Sequence, residues 1–149
     1  MKRSSLDRRS ERGSVSVEVA VIARVPFDEG TLTGMLRVVF AGKVSEADGN
    51  VERAAAEGAR AASLRQHPGN AATDARSTVE ANLATAGVSC STLEAIVDTS
   101  DFEPGGTVTV TVECTASMAD VTLLGVPGTR TFTATATEVI DTYRGDDGP

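Results

Sequence analysis

The sequence predicts an α+β domain in which a long N-terminal helix and a second, shorter helix pack on a three-stranded antiparallel β-sheet. Three observations predict it. Small and aliphatic residues recur at three- and four-residue steps from Val44 to Ala62 and again from Ala72 to Ala86. After Cys90 the period falls to two, most strictly in Thr107-Val108-Thr109-Val110-Thr111-Val112-Glu113-Cys114. Turn residues separate these runs, at His67-Pro68-Gly69-Asn70 and at Phe102-Glu103-Pro104-Gly105-Gly106. A length of 149 residues suits one such domain.

The first helix places Val44, Ala47, Val51, Ala54, Ala55, Gly58 and Ala62 on one face and Glu46, Arg53, Glu57 and Arg60 off it. Arg53 and Glu57 have the i,i+4 spacing of a helical ion pair. Gly49 weakens this helix locally, by about 1 kcal/mol relative to alanine. Ala54, Gly58 and Ala62 form a ridge of small side chains that admits close approach of another backbone. That ridge serves either the protein's own packing or a subunit contact. His67 to Asn70 end the helix, and Asn70 is placed to cap the next one. The second helix carries Ala72, Ala75, Val79, Leu83 and Ala86 on one face, with Gly87 suited to follow its C-terminus. The two helices form a hairpin of unequal length.

Residues 91–99 supply a first strand and residues 107–114 a second. Residues 129–140 supply a third, in which Phe132, Ala134 and Ala136 face away from a row of threonines. The connection containing Leu123, Leu124, Val126 and Pro127 is too apolar for a free loop. It either folds over an edge of the core or stands out as a docking loop. If the hairpin turn centres near Phe102 and Glu103, Cys90 and Cys114 fall opposite each other, which predicts a disulfide and an oxidising, extracytoplasmic location.

Composition excludes several functions. A net charge of −7 and a pI near 4.7 exclude a generally basic nucleic-acid binder. One histidine and two cysteines cannot assemble the usual structural zinc sets, and no metal or other cofactor is expected. His67 sits in a turn and is poorly placed for a nucleophilic triad. Asp98, Asp101, Glu103 and Asp120 lie near turns, where acidic residues are ordinarily solvated. No catalytic residue is assigned, and the chain reads as a non-enzyme. Four Phe, one Tyr and no Trp leave the core to Val, Leu, Ile and Ala, a thin core in buried apolar area.

The charge is divided. Residues 1–12 hold five basic and two acidic side chains, a net of +3, whereas the rest holds nine basic and nineteen acidic, a net of −10. A polar, basic head is followed at Gly13 by the largely apolar run Ser14-Val15-Ser16-Val17-Glu18-Val19-Ala20-Val21-Ile22-Ala23, whose one charged residue is Glu18. A carboxylate within an apolar helix costs about 2.5–3.5 kcal/mol on insertion scales for comparable charges, and marks function where it occurs. Basic residues, a Gly, and a Glu at the fifth position after it resemble the leader of type IV prepilins. That resemblance implies cleavage between Gly13 and Ser14 and a role for Glu18 in engaging a neighbouring subunit's freed N-terminus. The longer string from Arg12 to Ala23 is similar to the start of TadE-family proteins, minor pseudopilins of the Tad/Flp tight-adherence pilus. So are Val38–Val44, Ala55–Leu64 and the ending from Thr107 to Gly145, with actinobacterial members the most alike.

The chain departs from that family after Ala23, where Arg24, Pro26, Asp28, Glu29, Gly30, Gly34 and Arg37 interrupt the apolar helix. A membrane span needs about 20 largely apolar residues. The segment therefore reads as a replaced or diverged membrane core, and the chain is expected to be largely soluble as written. The organisation expected is a basic leader over 1–13, an N-terminal helical segment over 14–43, an extracytoplasmic α+β domain over 44–145 and a disordered tail over 146–149. The resemblance implies a structural subunit whose partners are other pilus or pseudopilin subunits and the prepilin peptidase, with no nucleic acid. The resemblance also implies membrane association, which the polar segment after Ala23 argues against in this sequence. The other reading is a secreted, disulfide-stabilised binding module unconnected with pili.

Overall fold

A computed structural model describes residues 29–122 and 127–143. The chain divides into two units, 1–37 and 38–149. In the first, the described residues are the opening turns of helix α1, which spans Glu29–Ser63. In the second, α1 is followed by α2 (Pro68–Thr85), β1 (Cys90–Asp101), β2 (Thr107–Ser117), a short α3 (Met118–Thr122) and β3 (Thr129–Val139). The strands form one antiparallel sheet in the order β1-β2-β3. The protein is thus α+β, with a long helix, a shorter one and a three-stranded antiparallel sheet.

Helix α1 begins well before Val44 and runs through Gly30, Gly34, Gly42 and Gly49. Each glycine costs about 1 kcal/mol relative to alanine, yet the intervening Leu, Met, Arg, Lys and Ala are good helix formers. Extending an existing helix requires no new nucleus, so weak positions are tolerated. From Ala47 onward the helix is held by burial, with Ala47, Val51, Ala54, Ala55, Ala59 and Ala62 in the core and Val44 half-buried beside it.

Helix α2 starts earlier than the turn His67-Pro68-Gly69-Asn70 suggests. Pro68 occupies the first helical position, His67 is the N-cap, and Asn70 lies inside the helix rather than capping it. Proline at that position has its φ already helical and no N–H to leave unpaired. The buried stripe is Ala71, Ala75, Val79 and Leu83, a strict four-residue step. Ala72 is only half-buried and Ala86 is exposed, so the stripe lies one residue from where Ala72 and Ala86 would put it. The C-terminus closes as a Schellman motif: Gly87 has φ +70°, its N–H donates to the Ala84 carbonyl, and the Val88 N–H donates to that of Leu83.

β1 and β2 are joined by a type II turn. Pro104 presets its first central residue, Gly105 takes φ +84° at the second, and the Gly106 N–H donates to the Glu103 carbonyl at 2.8 Å. In β2, Val108, Val110, Val112, Cys114 and Ala116 are fully buried, while the alternate residues point to the other face. The helices cover that apolar face. Their approach is close at Gly58, where an added Cβ would lie 2.8 Å from Val79 Cγ2, 3.3 Å from the Ala75 carbonyl and 3.5 Å from Val110 Cγ1. Phe132 is the one aromatic side chain buried in the core among the described residues.

The ion pairs among the described residues are Lys43–Glu46 and Arg65–Asp74. Arg53 and Glu57 do not pair; both stay exposed on the solvent side of α1. Exposed pairs of this kind contribute little in any case.

Candidate functional site: the disulfide edge and the threonine face

Cys90 and Cys114 form a disulfide with Cα atoms 5.3 Å apart. They are not directly opposite. Cys90 pairs with Ala116 and Cys114 with Leu93, and the register shifts between Cys90 and Thr92. The turn centres nearer Pro104 than Phe102, and the irregularity around Ser91 lets the two cysteines meet diagonally. Ser91 Oγ donates to the Thr115 carbonyl at 2.9 Å at the same place.

The outer sheet face is built from the alternate residues of all three strands. On β2 and β3 it is a threonine array in which Thr109 and Thr137, Thr111 and Thr135, and Thr115 and Thr131 share hydroxyl hydrogen bonds of 2.8–3.0 Å. Glu113 interrupts the row, opposite Thr133 on one side and Glu94 on the other. Two carboxylates directly across an antiparallel pair repel. The Glu113→Thr variant is therefore expected to gain about 0.5–1 kcal/mol. A higher urea midpoint at unchanged m-value would show it, and a midpoint equal to or below the wild type would refute it.

The turn acids serve the hairpin. Asp98 accepts from the Ser100 N–H at 2.9 Å, and the Ser100 amide and hydroxyl hold its carboxyl below the ordinary value despite full exposure. Asp101 accepts from the Thr107 N–H at 3.1 Å. Asp120 lies in α3, beyond the opposite end of β2, so the four acids do not converge. No group of residues suited to holding a metal occurs among the described residues. His67 is exposed, and its imidazole makes no capping hydrogen bond.

The two sheet edges differ. Arg76 on α2 donates from Nε to the Ala95 carbonyl of β1 at 3.2 Å, beside a depression bordered by Glu80 and Leu93 to Val97. β3 has β2 on one side and no described strand on the other. A second depression of about 190 Å³ lies between Lys43, Glu46 and Asn50 of α1 and Ser89, Asp120 and Val121. Its Lys43 and Glu46 are already paired at 2.9 Å.

The structure brings Ala54, Gly58 and Ala62 together as one buried ridge inside the domain's own core. Gly13, Ser14 and Glu18 lie outside the described residues, as do Leu123, Leu124 and Val126 of the apolar connection. A short helix, α3, precedes that connection, and Pro127 after it is exposed. Sequence reasoning did not single out Arg76 or the charges at the ends of β3, although the isolation of Arg130 and Glu138 in a threonine-alanine strand was there to be read. Among the described residues, no helix is long and apolar enough to cross a membrane. No family model, curated protein or solved structure matches the chain.

Proposed function

We propose that this protein is a non-enzymatic, pilin-like subunit of an envelope-associated assembly, of the kind represented by TadE-type minor pseudopilins of Tad/Flp pili. The observation that carries the reading is the order of its parts. A prepilin-like junction at Gly13, Ser14 and Glu18 precedes a helix of 35 residues, and a disulfide-bearing antiparallel sheet follows. The disulfide suits an oxidising compartment, which for this domain means outside the cytoplasm. The basic head suits retention on the cytoplasmic side. Leu32 and Leu36 in the first unit, and Val38 and Val39 in the second, are exposed apolar residues on a helix whose role in such an assembly is contact with other subunits.

The mechanism is assembly. Cleavage after Gly13 would free the Ser14 amine, and the Glu18 carboxylate would pair with such an ammonium on a neighbour inside an apolar helix bundle. The partners are other pilus subunits and the prepilin peptidase. Production of the full chain in a cell containing that peptidase is expected to give a protein beginning at Ser14 by N-terminal sequencing. The Glu18→Ala variant is expected to be cleaved but poorly incorporated. An uncut chain, secreted as a monomer and holding a specific ligand, would identify a binding module instead and overturn this reading.

A further inference from the structure

The edge of β3 that no described strand covers is self-complementary. We propose that two copies of the chain pair antiparallel along β3, about a two-fold axis through Ala134, to form one continuous six-stranded sheet.

The argument starts from the strand's sequence, Thr129-Arg130-Thr131-Phe132-Thr133-Ala134-Thr135-Ala136-Thr137-Glu138-Val139. Its only charges are Arg130 and Glu138, of opposite sign and equidistant from Ala134. In the antiparallel register centred on Ala134, each Arg130 stands opposite the other copy's Glu138, twice by symmetry. The same register sets Phe132 against Ala136, large against small, and Thr131 against Thr137. It also sets Thr133 against Thr135, continuing the threonine pairs that already join β2 to β3. Directly opposed residues share a face, so both copies keep their helices on one side and their threonines on the other. A parallel pairing would set Arg130 on Arg130 and Glu138 on Glu138.

The edges are also treated unequally. An exposed strand edge is a template for pairing unless it is covered or broken by charge, proline or a bulge. β1 has its register shifts and the Arg76 guanidinium on its Ala95 carbonyl. β3 pairs with β2 without a register shift through all eleven residues and contains no proline and no lysine. Arg130 is exposed, its guanidinium carbon 5.4 Å from the Phe132 ring centroid.

The test is a charge swap read by sedimentation equilibrium on the full chain, from micromolar to millimolar. The wild type is expected to show a monomer–dimer equilibrium. Arg130→Glu and Glu138→Arg each place like charges opposite in both symmetric pairs and should weaken the dimer about tenfold or more. The double variant R130E/E138R restores opposite charges and should dimerise within about threefold of the wild type. Thermal melts of each variant check that the fold is kept. A second measurement reads the register directly: Ala134→Cys should cross-link to itself under mild oxidation, and Thr131→Cys, about 20 Å from its own copy along the strands in this register, should not. A wild type monomeric throughout, a dimer indifferent to single reversals, or equal cross-linking at 131 and 134 overturns the proposal. These outcomes are distinct from those of the cleavage at Gly13, so either idea can fail alone.

Discussion

Replacing Cys90 and Cys114 together with alanine is expected to lower the stability of this domain by about 3–4 kcal/mol, and to lower its melting temperature by about 15 °C. The cysteines are 24 positions apart. On the chain-entropy treatment, a closed loop of that size costs the unfolded chain about 3.5 kcal/mol of freedom at 25 °C. Cys114 is fully buried, so removing its sulfur also takes contacts from the core. Reduction of the native protein leaves the sulfur atoms in place and isolates the loop effect. Urea titration of oxidised, reduced and alanine forms separates the two contributions. A loss below about 1 kcal/mol would mean that the β1–β2 register is held by the strands alone.

That dependence follows from composition. Among the described residues, eight of the buried core residues are alanines, and only one aromatic side chain is buried with them. Alanine buries little area, and free energy from burial scales with area at about 25 cal/mol per Å². A core of this kind brings its elements close together but gives each contact little strength. A covalent tie at the start of β1, directly after the helices, therefore carries a larger share of the stability than it would in an aromatic-rich domain.

How far the sequence discloses the fold depends on how local the governing physics is. Period-two alternation in residues 107–114 and 129–139 reads directly as strands, because side chains on a strand alternate whatever surrounds them. Gly87 is equally legible, since a positive φ after a helix is a local demand that glycine meets. Non-local choices are less legible. Among residues 71, 72, 75 and 86 the alanines are interchangeable by pattern, and only the packing of α2 on β1 selects Ala71 for burial. The cysteine pair is legible as a pair, but its diagonal geometry is not, because the register shift near Ser91 depends on the whole hairpin. The part of α1 before Val44 falls within the helical segment expected over 14–43, although its glycines argue against a helix locally and cooperativity overrides them. The candidate assembly residues Gly13, Ser14 and Glu18 are legible only by resemblance to prepilin leaders, outside the described residues.

The two glycines of α1 at 49 and 58 should respond to the same substitution with opposite signs. Gly49→Ala adds a methyl group with nothing within 4 Å, so only helix propensity changes. The expected gain is about 0.5–1 kcal/mol. Gly58→Ala places its methyl 2.8 Å from Val79 Cγ2, closer than such carbons pack. Valine in a helix holds essentially one rotamer, so Val79 cannot swing aside. The Ala75 carbonyl at 3.3 Å blocks retreat along α2, and Val110 at 3.5 Å blocks it toward the sheet. Overpacking costs about 1–3 kcal/mol, and the propensity gain offsets about 1 of it, so Gly58→Ala should destabilise by up to about 2 kcal/mol. Gly58→Leu brings three more carbons into the same space and should cost more than about 3 kcal/mol, the largest loss expected from any single change in this helix. The cause is separable by a double-mutant cycle, because Val79→Ala removes the methyl that Gly58→Ala meets. Alone, Val79→Ala opens a cavity, but combined with Gly58→Ala the two should cost less than the sum of the singles by about 1 kcal/mol. Additive costs would show that the ridge at Ala54, Gly58 and Ala62 is not set by this contact, and a gain in stability from Gly58→Ala would refute the close approach itself.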